Sequence, residues 1–148
     1  MRRVLLTLAT VAALTGCSVF GQNASCTRAD RDSAVSVVWR PADFGGTDAA
    51  VVRVCVEDGC EERESGDADD PVAGVSVRLP DDIGAVTVPV RLKVTTARDD
   101  RIVVDAGRRA RLTEQHPNGT SCAPGAWTAT FRADPDKGLT SPEGLSLR

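Results

Sequence analysis

Chemistry in this chain can rest on few side chains: five cysteines, one histidine, two tryptophans, no tyrosine and several acidic pairs within 148 residues. His116 is the one imidazole, so a Ser-His-Asp triad or any histidine base would have to be built on it. It precedes Pro117-Asn118-Gly119, a turn signal, and no Gly-x-Ser-x-Gly elbow presents a nucleophile. The pairs Glu61-Glu62, Asp69-Asp70, Asp81-Asp82 and Asp99-Asp100, with Asp134 and Asp136, contain the residue types of a glycosidase acid and base. Most fall in turn-like stretches, where Asp oxygens bond nearby backbone amides, so they read as turn residues. Asp134-Pro135-Asp136-Lys137-Gly138 opens like a calcium loop. It then departs from one, because Gly138 holds the fifth position and Leu145 the twelfth, where a bidentate Glu is needed. No catalytic residue, metal site or cofactor is expected.

The cysteines separate into one and four. Cys17 follows Leu14-Thr15-Gly16 at the end of an apolar run over residues 4–14, itself preceded by Met1-Arg2-Arg3. A basic start, a short apolar stretch and small residues before Cys have the order of a lipoprotein export signal. Small side chains let the backbone enter a peptidase cleft, and the Cys17 thiolate is the nucleophile that takes diacylglycerol. The run is shorter than the about 20 residues a spanning helix needs. Two or more acyl chains, at about 0.8 kcal/mol per buried methylene, would hold the chain stably on a membrane. The expected division is a signal peptide over residues 1–16, a lipidated start and tether over 17–33, and one domain over 34–148. The expected location is the extracytoplasmic face of the cell membrane, anchored through Cys17.

Cys26, Cys55, Cys60 and Cys122 remain, an even number in an exported chain, which implies disulfides. Their spacing lacks the paired Cys-x2-Cys pattern of a zinc site. Cys55 and Cys60 flank Val56-Glu57-Asp58-Gly59 and can oppose each other across a hairpin, at the about 4.5–5.5 Å Cα separation a disulfide accepts. The loop can be Glu57-Asp58 alone or all four residues. The four-residue loop is the favoured expectation, with Gly59 at a positive-φ position. Cys26 is then left to pair with Cys122.

These groups must be carried by strands. Val35, Val37 and Trp39 alternate with other residues, as do Val52, Val54 and Val56, then Val75, Val77 and Leu79. Val86, Val88, Val90, Leu92 and Val94 form the longest such run, followed by Ile102 and Val104, Ala110 and Leu112, and Trp127, Ala129 and Phe131. Strict alternation is the mark of a strand buried on one face, and β-branched valine suits that surface. Leu145 and Leu147 suggest a short terminal strand. Pro89 lies inside the longest run and cannot donate to a ladder, so that strand is expected at an edge or bulged there. About seven short strands separated by Pro, Gly and Asp turns predict an all-β fold, an antiparallel Ig-like β-sandwich, with a small closed β-barrel as the alternative.

Composition narrows the function. Hydrophobic residues at 41% are too many for disorder, and a net charge of −3 lacks the basic surplus of a nucleic-acid binder. Arg108, Arg109 and Arg111 form a local basic cluster. Its plain reading is a solvated strand face; its sharper one is contact with anionic head groups or an acidic wall polymer.

Several segments together carry a resemblance. They are Val54-Cys55-Val56-Glu57-Asp58-Gly59-Cys60, Pro89-Val90-Arg91-Leu92, Arg101-Ile102-Val103-Val104-Asp105, and His116-Pro117-Asn118-Gly119 leading to Cys122-Ala123-Pro124. With the Ala-, Val- and Arg-rich composition, they resemble small uncharacterised actinobacterial lipoproteins. The resemblance implies an extracytoplasmic domain and supplies no catalytic residues. The functional expectation is a lipid-anchored, non-enzymatic binding module of the envelope. Its partner would be an envelope protein or wall polymer. The alternative is a small-ligand or lipid carrier with an apolar cavity, usually of several hundred Å3 (roughly).

Overall fold

In the computed structural model, residues 32–44, 49–116, 119 and 125–142 are described. Cys17, Cys26 and Cys122, and the strand expected around Leu145 and Leu147, lie outside them. The elements in chain order are β1 (Ala34–Trp39), α1 (Pro41–Phe44), β2 (Ala50–Val56), β3 (Gly59–Glu64) and β4 (Ala73–Arg78). They continue with β5 (Thr87–Thr96), β6 (Ile102–Arg111), β7 (Thr113–Gln115), β8 (Ala126–Asp134) and β9 (Gly138–Thr140).

The strands form two sheets. One has the order β4-β1-β8-β7, with β9 also paired to β8; the other has the order β3-β2-β5-β6. This is an all-β sandwich, and no barrel closes among the described residues. Nine described strands replace the expected seven or so. One pairing is parallel: β1 runs alongside β8, with Val35 opposite Ala129 and Val37 opposite Phe131. Parallel neighbours need a long crossover, and the excursion through the second sheet supplies it.

Alternation places the core. Val35, Val37 and Trp39 of β1 are buried, as are Val52, Val54 and Val56 of β2 and Val88, Val90, Leu92 and Val94 of β5. They pack with Leu112, Ala133 and Leu139 in one cluster between the sheets. Each such aliphatic side chain contributes about 1.5–3 kcal/mol on burial. Trp39 also needs a partner for its indole N–H, and Nε1 donates to the Ser65 carbonyl at 2.8 Å. Ser65 is itself buried, its hydroxyl accepting from the Ala50 amide at 3.1 Å. The indole thus ties the end of the β2–β3 hairpin to the opposite sheet.

Several expectations change. The β2–β3 loop is Glu57-Asp58, because Val56 pairs with Gly59. Positive φ falls on Glu57 (51°) rather than on Gly59. The shorter loop keeps Val56 in the ladder and its side chain in the core, which a four-residue loop would surrender. Pro89 does not put β5 at an edge, since β5 pairs with β2 on one side and β6 on the other. The β2 ladder ends at Val56 opposite Val90, so Pro89 has a strand partner only in Arg109 of β6. The missing N–H is tolerated at this local edge. The irregularity lies elsewhere: Val94 pairs with Val104 and Thr95 with Ile102, leaving Val103 as an extra residue. That bulge turns Ile102 away from the core, to 51% exposure, although it alternates with the buried Val104.

Short pieces complete the corners. Leu112 is buried, and its amide bonds the Val86 carbonyl as the chain passes from β6 to β7. Gly138 has φ of 70°, and an added Cβ would come within 2.5 Å of the Ala106 Cβ. Glycine there lets β9 lie against β6 and close that side of the sandwich.

Candidate functional site

Side chains on the outer face of the β3-β2-β5-β6 sheet occupy every second strand position, opposite in phase to the buried valines. On β2 they are Arg53 and Cys55; on β5, Pro89, Arg91 and Lys93; on β6, Asp105, Gly107, Arg109 and Arg111. The register sets them side by side: Cys55 beside Arg91, Arg91 beside Gly107, and Pro89 beside Arg109. Cys60 of β3 stands directly opposite Cys55, and the two are disulfide-bonded. The disulfide expected from their spacing is therefore present, on the outer surface of the sheet rather than in the core.

These residues border an open groove of about 610 Å3, with Cys55, Pro89, Arg91, Gly107, Arg108 and Arg109 among its walls. A second concavity of about 430 Å3 adjoins it through Cys55, Arg91 and Asp105 and reaches the outward-turned Ile102. Gly107 makes the floor. It supplies no side chain to the stretch of groove that Arg91 and Arg109 border.

The charges are ordered. Arg91 Nε and Nη2 donate to the two Asp105 carboxylate oxygens at 3.0 and 2.9 Å. This fork holds the guanidinium flat along the sheet. The same contacts, with Lys93 nearby, keep the Asp105 carboxyl below the usual carboxylate range and push the Arg91 guanidinium up. Arg53 donates to Glu62 on β3 at 2.8 Å. The side chains of Arg108, Arg109 and Arg111 have no ion pair or hydrogen bond to a described residue. Arg109 and Arg111 point outward. Arg108 is in phase with the buried positions but lies on the outermost strand and is exposed.

The acidic pairs serve turns and surface contacts. Asp134 Oδ1 accepts the backbone amides of Asp136 and Lys137, each at 3.0 Å, closing the β8–β9 turn. Those two amides hold its carboxyl below the usual range. Asp99 accepts from the Thr96 hydroxyl in the β5–β6 turn, which lowers its carboxyl in the same way. Asp69, Asp70, Asp81 and Asp82 are exposed and distributed over two other loops, and Glu61 and Glu62 lie on β3. His116 Nε2 is 3.7 Å from Glu114 at the end of β7. Among the described residues no three His, Cys, Asp or Glu side chains are grouped to hold a metal ion. No helix among them is long and apolar enough to cross a membrane.

Sequence reasoning found Arg108, Arg109 and Arg111 and missed Arg91, Asp105, Pro89 and Gly107 as their neighbours. The period-two phase opposite Val54, Val90 and Val104 carried a signal for these outer positions. Adjacency across strands needed the register. Comparison with protein-family models, with curated proteins and with solved structures finds no match for this chain.

Proposed function

We propose that this chain is a tethered, non-enzymatic binding module of the bacterial cell envelope, anchored by lipid on Cys17 and working through the outer face of its β3-β2-β5-β6 sheet. One observation carries the binding part: a groove floored by Gly107 and bordered by Arg108 and Arg109, which no described side chain neutralises, beside the Asp105-paired Arg91. Guanidiniums beside a concavity that make no salt bridge to a described residue are suited to an anionic partner. The inward side chains pack on one another in one cluster, which favours surface binding over carriage of an apolar ligand in an internal chamber. The anchor rests on the order Arg3, apolar run, Gly16, Cys17. The family reading, a small actinobacterial lipoprotein with an Ig-like domain, belongs to the same proposal, as does the pairing of Cys26 with Cys122.

Membrane fractionation tests the anchor. Wild-type protein expressed in an actinobacterial host is expected in the membrane fraction, and Cys17→Ala in the soluble fraction. Retention of Cys17→Ala on membranes would contradict the tether. Cross-linking from the intact envelope, through a photoreactive group at Arg109, is expected to capture a partner absent when the group is placed at Ser36.

A further inference from the structure

Arg108 and Arg109, without an ionic partner among the described residues, and the open floor beside them call for a more specific ligand. Gly107 sits in the middle of β6, where glycine weakens a strand and supplies no side chain to pack. Neither of the usual structural reasons applies to it. Its φ is not in the left-handed region, and an added Cβ would meet only the Val90 carbonyl oxygen, at 3.8 Å. A Cβ there is in ordinary contact and meets no clash, yet this groove-lining position carries none. Glycine within a strand often marks the close approach of a ligand.

We infer that the Gly107 groove binds one extended anionic polymer, a flexible chain bearing repeated carboxylate or phosphate groups. This rests on the reading of the chain as a binding module and is independent of the anchor. Arg108 and Arg109 border the groove from β6, Arg111 follows Arg109 on the same outer face just beyond it, and Arg91, forked to Asp105, borders it from β5. Guanidiniums recognise carboxylate and phosphate oxygens through paired N–H donors. A polymer of such groups can engage several at once, which a lone anion cannot. The groove is concave, so it admits a single chain more readily than the plane of a bilayer. No aromatic side chain among the described residues lines it, which disfavours the stacking that single-stranded nucleic acid uses. Glu57, at the groove's end, and the paired Asp105 are its acidic groups, and they leave the β6 side cationic.

Fluorescence anisotropy of the purified protein with labelled poly-L-glutamate and labelled polyphosphate tests the inference. Phosphatidylglycerol vesicles and a single-stranded oligonucleotide serve as the competing classes. Saturable binding of at least one polymer is expected, weakening steeply with added salt. The preferred polymer identifies the oxyanion. Arg108→Ala with Arg109→Ala, and separately Gly107→Val, are each expected to weaken binding by about tenfold or more, the equivalent of losing one good charge-assisted contact. Gly107→Val is expected to melt no earlier than wild type, since valine favours strands. Should it melt early, Arg109→Glu, on an exposed side chain, decides the matter by the same loss. The inference is overturned if neither polymer binds, if a correctly folded Gly107→Val or Arg109→Glu binds as wild type does, or if vesicles or the oligonucleotide bind more tightly. Failure here with Cys17 still required for membrane retention would remove the groove and leave the tethered module standing.

Discussion

The two sheets turn the same chemistry inward and opposite chemistry outward. Val35 and Val37 on one side and Val52, Val54, Val90 and Leu92 on the other meet in a shared core. On its outer face the β4-β1-β8-β7 sheet carries small hydroxyls around its centre: Ser36 and Ser76 bond each other at 2.8 Å, and Thr130 stands beside Ser36. The β3-β2-β5-β6 sheet carries Arg53, Arg91, Lys93, Asp105, Arg109 and Arg111, with a disulfide, a proline and an open glycine between them. Folding requires only the inward half of each strand. The outward half is free to differ. The first sheet's outer arginines, Arg78 and Arg132, each stand by an aspartate, whereas Arg109 and Arg111 of the second have no described ionic partner, and the proposed partner is placed there.

The shared core should answer alike from both sides. Leu92→Ala in β5 and Leu139→Ala in β9 are each expected to lower unfolding free energy by about 2–5 kcal/mol in urea titrations. A large loss for one and almost none for the other would break the equivalence of the inward faces. Next in size is the outer disulfide. Replacing Cys55 and Cys60 together by Ser is expected to cost about 2 kcal/mol in the chain-entropy model, because the loop it closes is short. Non-reducing mass spectrometry of the wild type should find those two cysteines joined.

A smaller effect, of opposite sign, sits at the hairpin tip. Glu57 has φ of 51°, a region costly for a residue with a Cβ. Glu57→Gly is expected to raise stability by about 0.5–1 kcal/mol. An equal loss instead would mean that the Glu57 side chain contributes to the fold. On the charged face, the Asp105 carboxyl is held low by Arg91, so its contribution is present at neutral pH and fades as pH falls through its depressed folded value. Carboxyl titration followed by NMR should show the Asp105 midpoint rising toward the ordinary range in Arg91→Gln. The smallest stability changes are expected from Ser36→Ala and Arg109→Glu, each within about 0.5–1 kcal/mol of wild type. Only Arg109→Glu should lose polymer binding.

Much of this was legible because alternation is a local property. The valine runs located the strands and named most of the core, and the spacing of Cys55 and Cys60 allowed a hairpin in which they oppose, though the loop is the two-residue one rather than the favoured four. What escaped depended on partners far along the chain. The parallel β1–β8 pair brings together segments separated by the whole second sheet, and nothing local announces it. Ile102 kept the phase of a core residue, and the extra Val103 opposite the Val94–Thr95 step reversed it. Pro89 gave the wrong position for β5 because the length of the neighbouring β2, rather than β5 itself, decides whether the missing N–H matters. At the groove, the three arginines of β6 were visible as neighbours in sequence. Arg91 and Asp105 became a fork, and Gly107 a floor, only once β5 and β6 were laid side by side.

The most direct measurement is backbone-amide chemical-shift mapping of the isotope-labelled protein during titration with polyphosphate and, separately, poly-L-glutamate. Shifts with at least one polymer are expected to cluster at Arg91, Gly107 and Arg109, leaving Ser36, Ser76 and Thr130 on the opposite sheet unmoved. Shifts centred on those hydroxyl residues, spread evenly over both sheets, or absent with both polymers would contradict the assignment of binding to the charged face.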